Sequence, residues 1–229
     1  MAEVIRINES TWRIEDGMVR FFLFAGNKKA ALIDSGMTVP NAKEIAEGLT
    51  DLPIIMVNTH ADGDHVSGNG AFEESYMSPA EEGNYREHGG KGKIIPIKEG
   101  DVIDLGDRTL KVIDIPGHTP GSLAFLDEKY RVLISGDSVQ DGIIFMFGEK
   151  RNFTDYIKSM EHLLEFDGLF DDIYAMHGSF PVKGDLIPKL MDAAKRIQAG
   201  EAKGEKVDVF GNEVLKYEFE FAGFFGELK

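Results

Sequence analysis

Asn58-Thr59-His60-Ala61-Asp62-Gly63-Asp64-His65 puts two imidazoles and two carboxylates into six consecutive residues, directly after the apolar run Pro53-Ile54-Ile55-Met56-Val57. A run that short and that rich in branched side chains reads as a buried strand. The polar cluster therefore falls on the loop leaving the strand's carboxyl end, where α/β proteins carry their chemistry. Packed without a counter-charge, those groups would repel one another or strand unpaired charge. A divalent cation removes the difficulty, and Gly63 lets the backbone turn tightly enough to aim several side chains at one point.

Three later stretches repeat the pattern of an apolar run followed by glycine and a potential ligand. They are Pro116-Gly117-His118-Thr119-Pro120-Gly121-Ser122 after Leu110 to Ile115, Ile134-Ser135-Gly136-Asp137-Ser138, and Tyr174-Ala175-Met176-His177-Gly178. With these residues in order, the chain resembles the metallo-β-lactamase-fold hydrolase superfamily. There a His-x-His-x-Asp-His loop, a later His, a Gly-Asp pair and a last His hold two metal ions between two β-sheets. The resemblance implies one metal on His60, Asp62 and His118, a second on Asp64, His65 and His177, and Asp137 bridging both. It also makes Asp34 in Asp34-Ser35-Gly36 a hydrogen-bond buttress of the metal loop, where the residues alone allow a turn aspartate equally well.

Asp62 departs from the family pattern, which has histidine there. Aspartate can still ligate, as a carboxylate does at this place in the superfamily's flavodiiron members. With Asp62, Asp64, Asp137 and a bridging hydroxide facing two divalent ions, the core is formally neutral. Such a core polarises water less than a positive one, and hard oxygen ligands suit iron or manganese as well as zinc. The acidic limb of a pH-rate profile is expected to lie higher than in an Asp62→His variant.

The chain has 229 residues, with 40 acidic and 25 basic side chains for a formal charge of −15, and no cysteine. The length suits one domain spanning 1–229, and the apolar content is enough for a packed core. So acidic a surface repels phosphate backbones and anionic membranes, which excludes nucleic acid as the expected partner and leaves a small-molecule substrate. Without cysteine there are no disulfides and no thiolate ligands. The N-terminus carries no apolar leader core and no later run approaches a membrane span, so a cytoplasmic protein is expected.

Alternating strands are expected over residues 3–35, a helix from Pro40 to Leu49, and a helix from Ser78 whose capping box is Ser78-Pro79-Ala80-Glu81, with His88 structural or idle in its last turn. Strands return over 93–137 as a second block, which suggests the second of two stacked sheets. Thr154 is expected to cap a helix carrying His162 on its solvated face, and a last helix spans Asp185 to Gln198. Layered α/β architecture follows from this order, and the resemblance specifies a four-layer αββα sandwich of two mixed sheets flanked by helices. Two segments stay open between readings. The run from Gln140 to Asn152 is either core or an apolar wall over the metals, with Phe145 and Phe147 facing substrate and Arg151 or Asn152 anchoring a polar group. The alternating tail, Val214 to Phe221 followed by Phe224 and Phe225, is a homodimer contact or a lid, or more plainly an edge strand closing the sandwich.

The reaction implied by the resemblance is hydrolysis of an ester-like bond, thioester or lactone, by metal-activated water, with two divalent ions as cofactors, zinc first and iron or manganese as alternatives. Asp64 is the group expected to orient that water and shuttle its proton. Two rivals share the fold: a di-iron or mononuclear-iron redox enzyme, and a metal-binding protein without turnover.

Overall fold

The computed structural model describes residues 2–227. Its first sheet has seven strands in sequence order: β1 (Glu3–Asn8), β2 (Thr11–Asp16), β3 (Val19–Ala25), β4 (Ala30–Ile33), β5 (Ile54–Val57), β6 (Glu74–Met77) and β7 (Lys93–Pro96). The first four form an antiparallel meander, and from β4 onward the neighbours are parallel. Parallel neighbours need crossovers, supplied by α1 (Ala42–Glu47), then by α2 (Gly63–Val66) with a 3-10 turn, then by α3 (Glu82–Glu87). The second sheet holds β8 (Val102–Asp104), β9 (Thr109–Asp114), β10 (Leu123–Asp127), β11 (Val132–Gly136) and, parallel to β11, β13 (Asp172–Ala175).

Side-chain alternation explains the layering. In β3, Phe22 and Phe24 join Ala31, Ile33 and Val57 against Val112, Phe125 and Ile134 of the second sheet. Phe21 and Leu23, one residue out of step, face Ala42 and Ala46 of α1. The second sheet's outer face, including Ala124, Leu126, Leu133 and Ile173, packs on Met160 and Leu163 of α4 (Phe153–Leu163) and on Ile187, Leu190 and Ala194 of α5 (Leu186–Gln198). Helix, sheet, sheet, helix is the αββα sandwich. Each large apolar side chain buried this way contributes about 1.5–3 kcal/mol before conformational entropy is subtracted.

Three features differ from the sequence expectations. Residues 93–96 pair with β6 in the first sheet, not with the second. The C-terminal tail is not an edge strand of either main sheet: β14 (Glu205–Val209), β15 (Asn212–Phe219) and β16 (Ala222–Glu227) form a third sheet with β12 (Ile143–Met146), which runs parallel to β16. The cap of α4 is Asn152, whose side chain accepts from Thr154 N at 2.8 Å and Asp155 N at 3.2 Å. Thr154 is instead the second helical residue, because the cap falls where the extended backbone ends. Asn152→Ala should cost about 1 kcal/mol, read as a lower denaturation midpoint. A substrate anchor would shift KM and leave the midpoint in place. Among the described residues no helix is long and apolar enough to cross a membrane.

Candidate metal centre

The loops after β5, β9, β11 and β13 bring His60, Asp62, Asp64, His65, His118, Asp137 and His177 to one rim between the sheets. Thr59 O accepts from Leu123 N of β10 at 2.8 Å, which stitches the first loop to the second sheet. Arg20 of β3 holds the last loop by donating to the carbonyls of Ala175, His177, Gly178 and Ser179. Gly117, at φ +138°, lies where a Cβ would strike the Tyr156 backbone at 2.4 Å, so only glycine lets the His118 loop approach α4.

His60 and His118 Nε2 lie 3.6 and 3.4 Å from Asp62 Oδ2. His65 and His177 Nε2 lie 3.5 and 3.2 Å from Asp64 Oδ2. Asp137 spans both groups, with Oδ1 3.4 Å from His65 and Oδ2 3.6 and 3.3 Å from His118 and His177. These separations are long for hydrogen bonds. They match the edge of a tetrahedron of donors around an ion with bonds of about 2.0–2.1 Å, roughly 3.3–3.4 Å. The Nε2 atoms of His60, His65 and His118 and the Oδ1 of Asp137 are buried with no hydrogen-bond partner. Unpartnered, inward-aimed lone pairs at ligand spacing fit two divalent cations.

The opposite ring nitrogens fix that orientation. His118 Nδ1 donates to Phe145 O at 3.0 Å and His177 Nδ1 to Met18 O at 2.6 Å, both acceptors only, so Nε2 is left facing inward. Thr59 Oγ1 donates to Asp34 Oδ2 at 2.7 Å and therefore accepts from His60 Nδ1 at 3.0 Å. Asp34, held at φ +61°, also takes His65 Nδ1 at 2.9 Å and Thr59 N at 2.8 Å. It grips the loop from behind and does not point into the site.

The electrostatics of the cluster follow the same partition. Burial opposes ionisation of Asp62, yet the His118 and His60 imidazoles beside it hold its carboxyl well below the usual range. Asp137 and Asp64 are likewise buried against their charge and likewise held down, Asp137 by His177 and His65, Asp64 by His65 and His177. Burial disfavours the charged form of His177, but Asp137 and Asp64 raise it to about 10, and the same two carboxylates raise His65. His118 is depressed by burial and by the Arg151 charge.

The sequence profile of the metallo-beta-lactamase superfamily matches residues 14–203. The chain belongs to that superfamily. Among relatives of this superfamily member, the acyl-coenzyme A thioesterase MBLAC2 of Gallus gallus is 29% identical over 196 residues, covering 68% of this chain and 71% of the relative. A hydroxyacylglutathione hydrolase of a Synechococcus strain is 31% identical over 114 residues, 49% of this chain and 45% of its own. A metallo-beta-lactamase from Pontibacter korlensis superposes with a TM-score of 0.72 over 85% of this chain and 99% of that one, at 14% identity, a likeness of fold.

Other groups at the superfamily site carry no local sequence signal. Arg151 Nη2 donates to Asp62 Oδ2 at 2.5 Å, so its guanidinium is engaged by a site carboxylate, while its Nε is buried without a partner. Asn84 Nδ2 donates to Asp62 Oδ1 at 2.8 Å. Ser78 caps its turn by accepting from Ala80 N, but Glu81 does not complete a capping box. Fully buried, Glu81 accepts from Ala61 N and Gly121 N, each at 2.8 Å, and so ties the His60 loop to the His118 loop. Of the two roles expected for His88, the structural one holds: its Nδ1 lies 3.0 Å from Ala61 O and Asn84 O, bracing the same loop. His162 is not fully solvated either, resting edge-on against Phe166 with centroids 5.3 Å apart. In β12, Ile144 and Met146 are core, as the core reading of that run expects, while Phe145 is half-buried on the opposite face. A concavity lined by Ile143, Val182, Leu186 and Phe219 among others contains none of the seven converging groups. It therefore does not mark the chemistry.

Proposed function

We propose that the chain is a metal-dependent thioester hydrolase acting through one metallo-β-lactamase-like domain, with His60, Asp62 and His118 holding one divalent ion, Asp64, His65 and His177 a second, and Asp137 shared. The observation that carries this reading is the set of buried, unpartnered Nε2 and Oδ1 atoms at ligand spacing. The relatives named as acyl-coenzyme A thioesterase and hydroxyacylglutathione hydrolase support the thioester. When bound, the two ions, zinc in the first instance, supply an activated water and a Lewis acid for the acyl carbonyl.

This chain's own residues position and move protons. Asp64 is the most open of the three site carboxylates, with 30% of its side chain exposed against 17% for Asp62 and 9% for Asp137. It meets the entering water, accepts its proton as the oxygen adds to the acyl carbon, and returns that proton to the sulfur as the C–S bond breaks. Thr59, Asp34 and the Met18 and Phe145 carbonyls keep the imidazoles from turning during the cycle.

The test is metal analysis of protein loaded in turn with zinc, manganese and iron, followed by assays on acyl thioesters, lactones and phosphodiesters. Two ions per chain and thioester turnover abolished by chelation are expected. Fully loaded protein inert to every thioester would overturn the substrate class. Iron with visible absorbance and redox activity would favour the oxygen-rich reading that Asp62 invites.

A further inference from the structure

Phe210 is 87% exposed, the one aromatic side chain among the exposed large hydrophobics of the described residues. It also occupies a conformation that its side chain disfavours. The register pairs Val209 with Asn212, leaving Phe210-Gly211 as a two-residue loop between β14 and β15, with φ +53° at Phe210 and +82° at Gly211. That is a type I′ hairpin turn, whose first position favours asparagine, aspartate or glycine. A phenylalanine there pays backbone strain and exposes a large ring to water, and the fold recovers neither through burial.

The ring's surroundings supply a reason. Phe210 stacks on Phe145 at 6.3 Å between centroids and 19° between planes. Phe145 in turn meets Phe147 at 5.8 Å and Phe225 at 5.0 Å. The cluster is joined to the site by one hydrogen bond, since the Phe145 carbonyl is the acceptor for His118 Nδ1. Aromatic faces without a charged partner among them suit a flexible hydrocarbon, which gains from area and asks for no hydrogen bond.

We propose that Phe145, Phe147, Phe225 and Phe210 form the acyl-chain subsite, and that Phe210, carried on the tip of the β14–β15 hairpin, sets the preference for long acyl chains. This rests on the thioesterase reading above. A substrate whose scissile carbonyl lies at the His/Asp cluster extends its acyl chain past His118 onto the Phe145 ring, with Phe210 covering the far end. The third sheet then has a purpose beyond closing the fold, because it brings a C-terminal hairpin to a site built from the other two.

The test uses Phe210→Gly in the metal-loaded full chain. Glycine adopts φ +53° freely, so the melting temperature should not fall. For a series of acyl thioesters from acetyl to dodecanoyl, the ratio of kcat/KM for dodecanoyl over acetyl should drop by about tenfold or more, with loss of the aromatic contact along the chain. A general structural defect would lower both and leave the ratio alone. Dodecanoate binding by calorimetry gives a second readout that needs no turnover, and its affinity should weaken in the variant. If the wild type hydrolyses no thioester yet binds dodecanoate through Phe210, the reaction is wrong and the subsite stands. An unchanged selectivity ratio together with unchanged dodecanoate affinity would overturn the subsite while leaving thioester hydrolysis intact. Loss of a dimer in sedimentation without a selectivity change would overturn it in favour of self-association.

Discussion

Replacing Asp137 with asparagine is expected to reduce turnover by roughly a thousandfold or more and to drop metal content from two ions per chain to at most one. Among the described residues, Asp137 alone has oxygens that reach both histidine groups, at 3.4 Å to His65, 3.6 Å to His118 and 3.3 Å to His177. Asparagine keeps the volume, so the layers around it need not repack, but it presents a neutral amide whose nitrogen cannot ligate. The substitution also removes the anion that faces the His65 and His177 imidazoles. The variant should therefore fold with an unchanged near-ultraviolet spectrum and lose its metal-linked heat of binding. Two tightly held ions in Asp137→Asn, with kcat/KM within about tenfold of the parent, would sink the shared-ligand assignment.

The grouping of these side chains is legible in the sequence because each is announced locally, by a branched apolar run, a glycine and a titratable residue. Strands that end on one rim then deliver them together. Asp34 is legible only in part, since an aspartate after a strand looks the same whether it turns the chain or grips Thr59 and His65. Arg151 and Glu81 are illegible for a plain reason. Their partners, Asp62 for one and Ala61 with Gly121 for the other, lie far away in sequence, and no periodicity records such pairs. The third sheet is hidden in the same way: β12 and β16 pair across most of the C-terminal third of the chain, and parallel pairing leaves no turn to read. Alternation along β15 does mark a half-exposed strand, but it cannot say which sheet receives it.

Arg151→Met should tighten metal binding at the His60/Asp62/His118 group by about tenfold while lowering kcat by a similar factor, the two effects having one electrostatic cause. An aspartate at position 62 makes the metal core one unit more negative than the family's histidine would. Arg151, 2.5 Å from Asp62 Oδ2, returns that unit. Aspartate and arginine together therefore equal one neutral histidine in charge, and the reduced Lewis acidity expected from Asp62 alone is offset by its partner. Two unit charges about 5 Å apart at an effective dielectric of about 20 interact by about 3 kcal/mol. Solvent reaches this pair, with 13% of Arg151 and 17% of Asp62 exposed, so a factor nearer ten than a hundred should survive screening. Removing the guanidinium leaves Asp62 a stronger ligand and the bound ion a weaker acid, so affinity and turnover move in opposite directions. Asp62→His alone should do the reverse to affinity, because Arg151 would then face the cation without its carboxylate. The double variant, Asp62→His with Arg151→Met, should return toward the parent in both, giving a large coupling term in the cycle. Competition against a chelator measures affinity and steady-state thioester hydrolysis measures kcat. If Arg151→Met instead loosens the ion, Arg151 serves to aim Asp62, and the charge-replacement account is wrong.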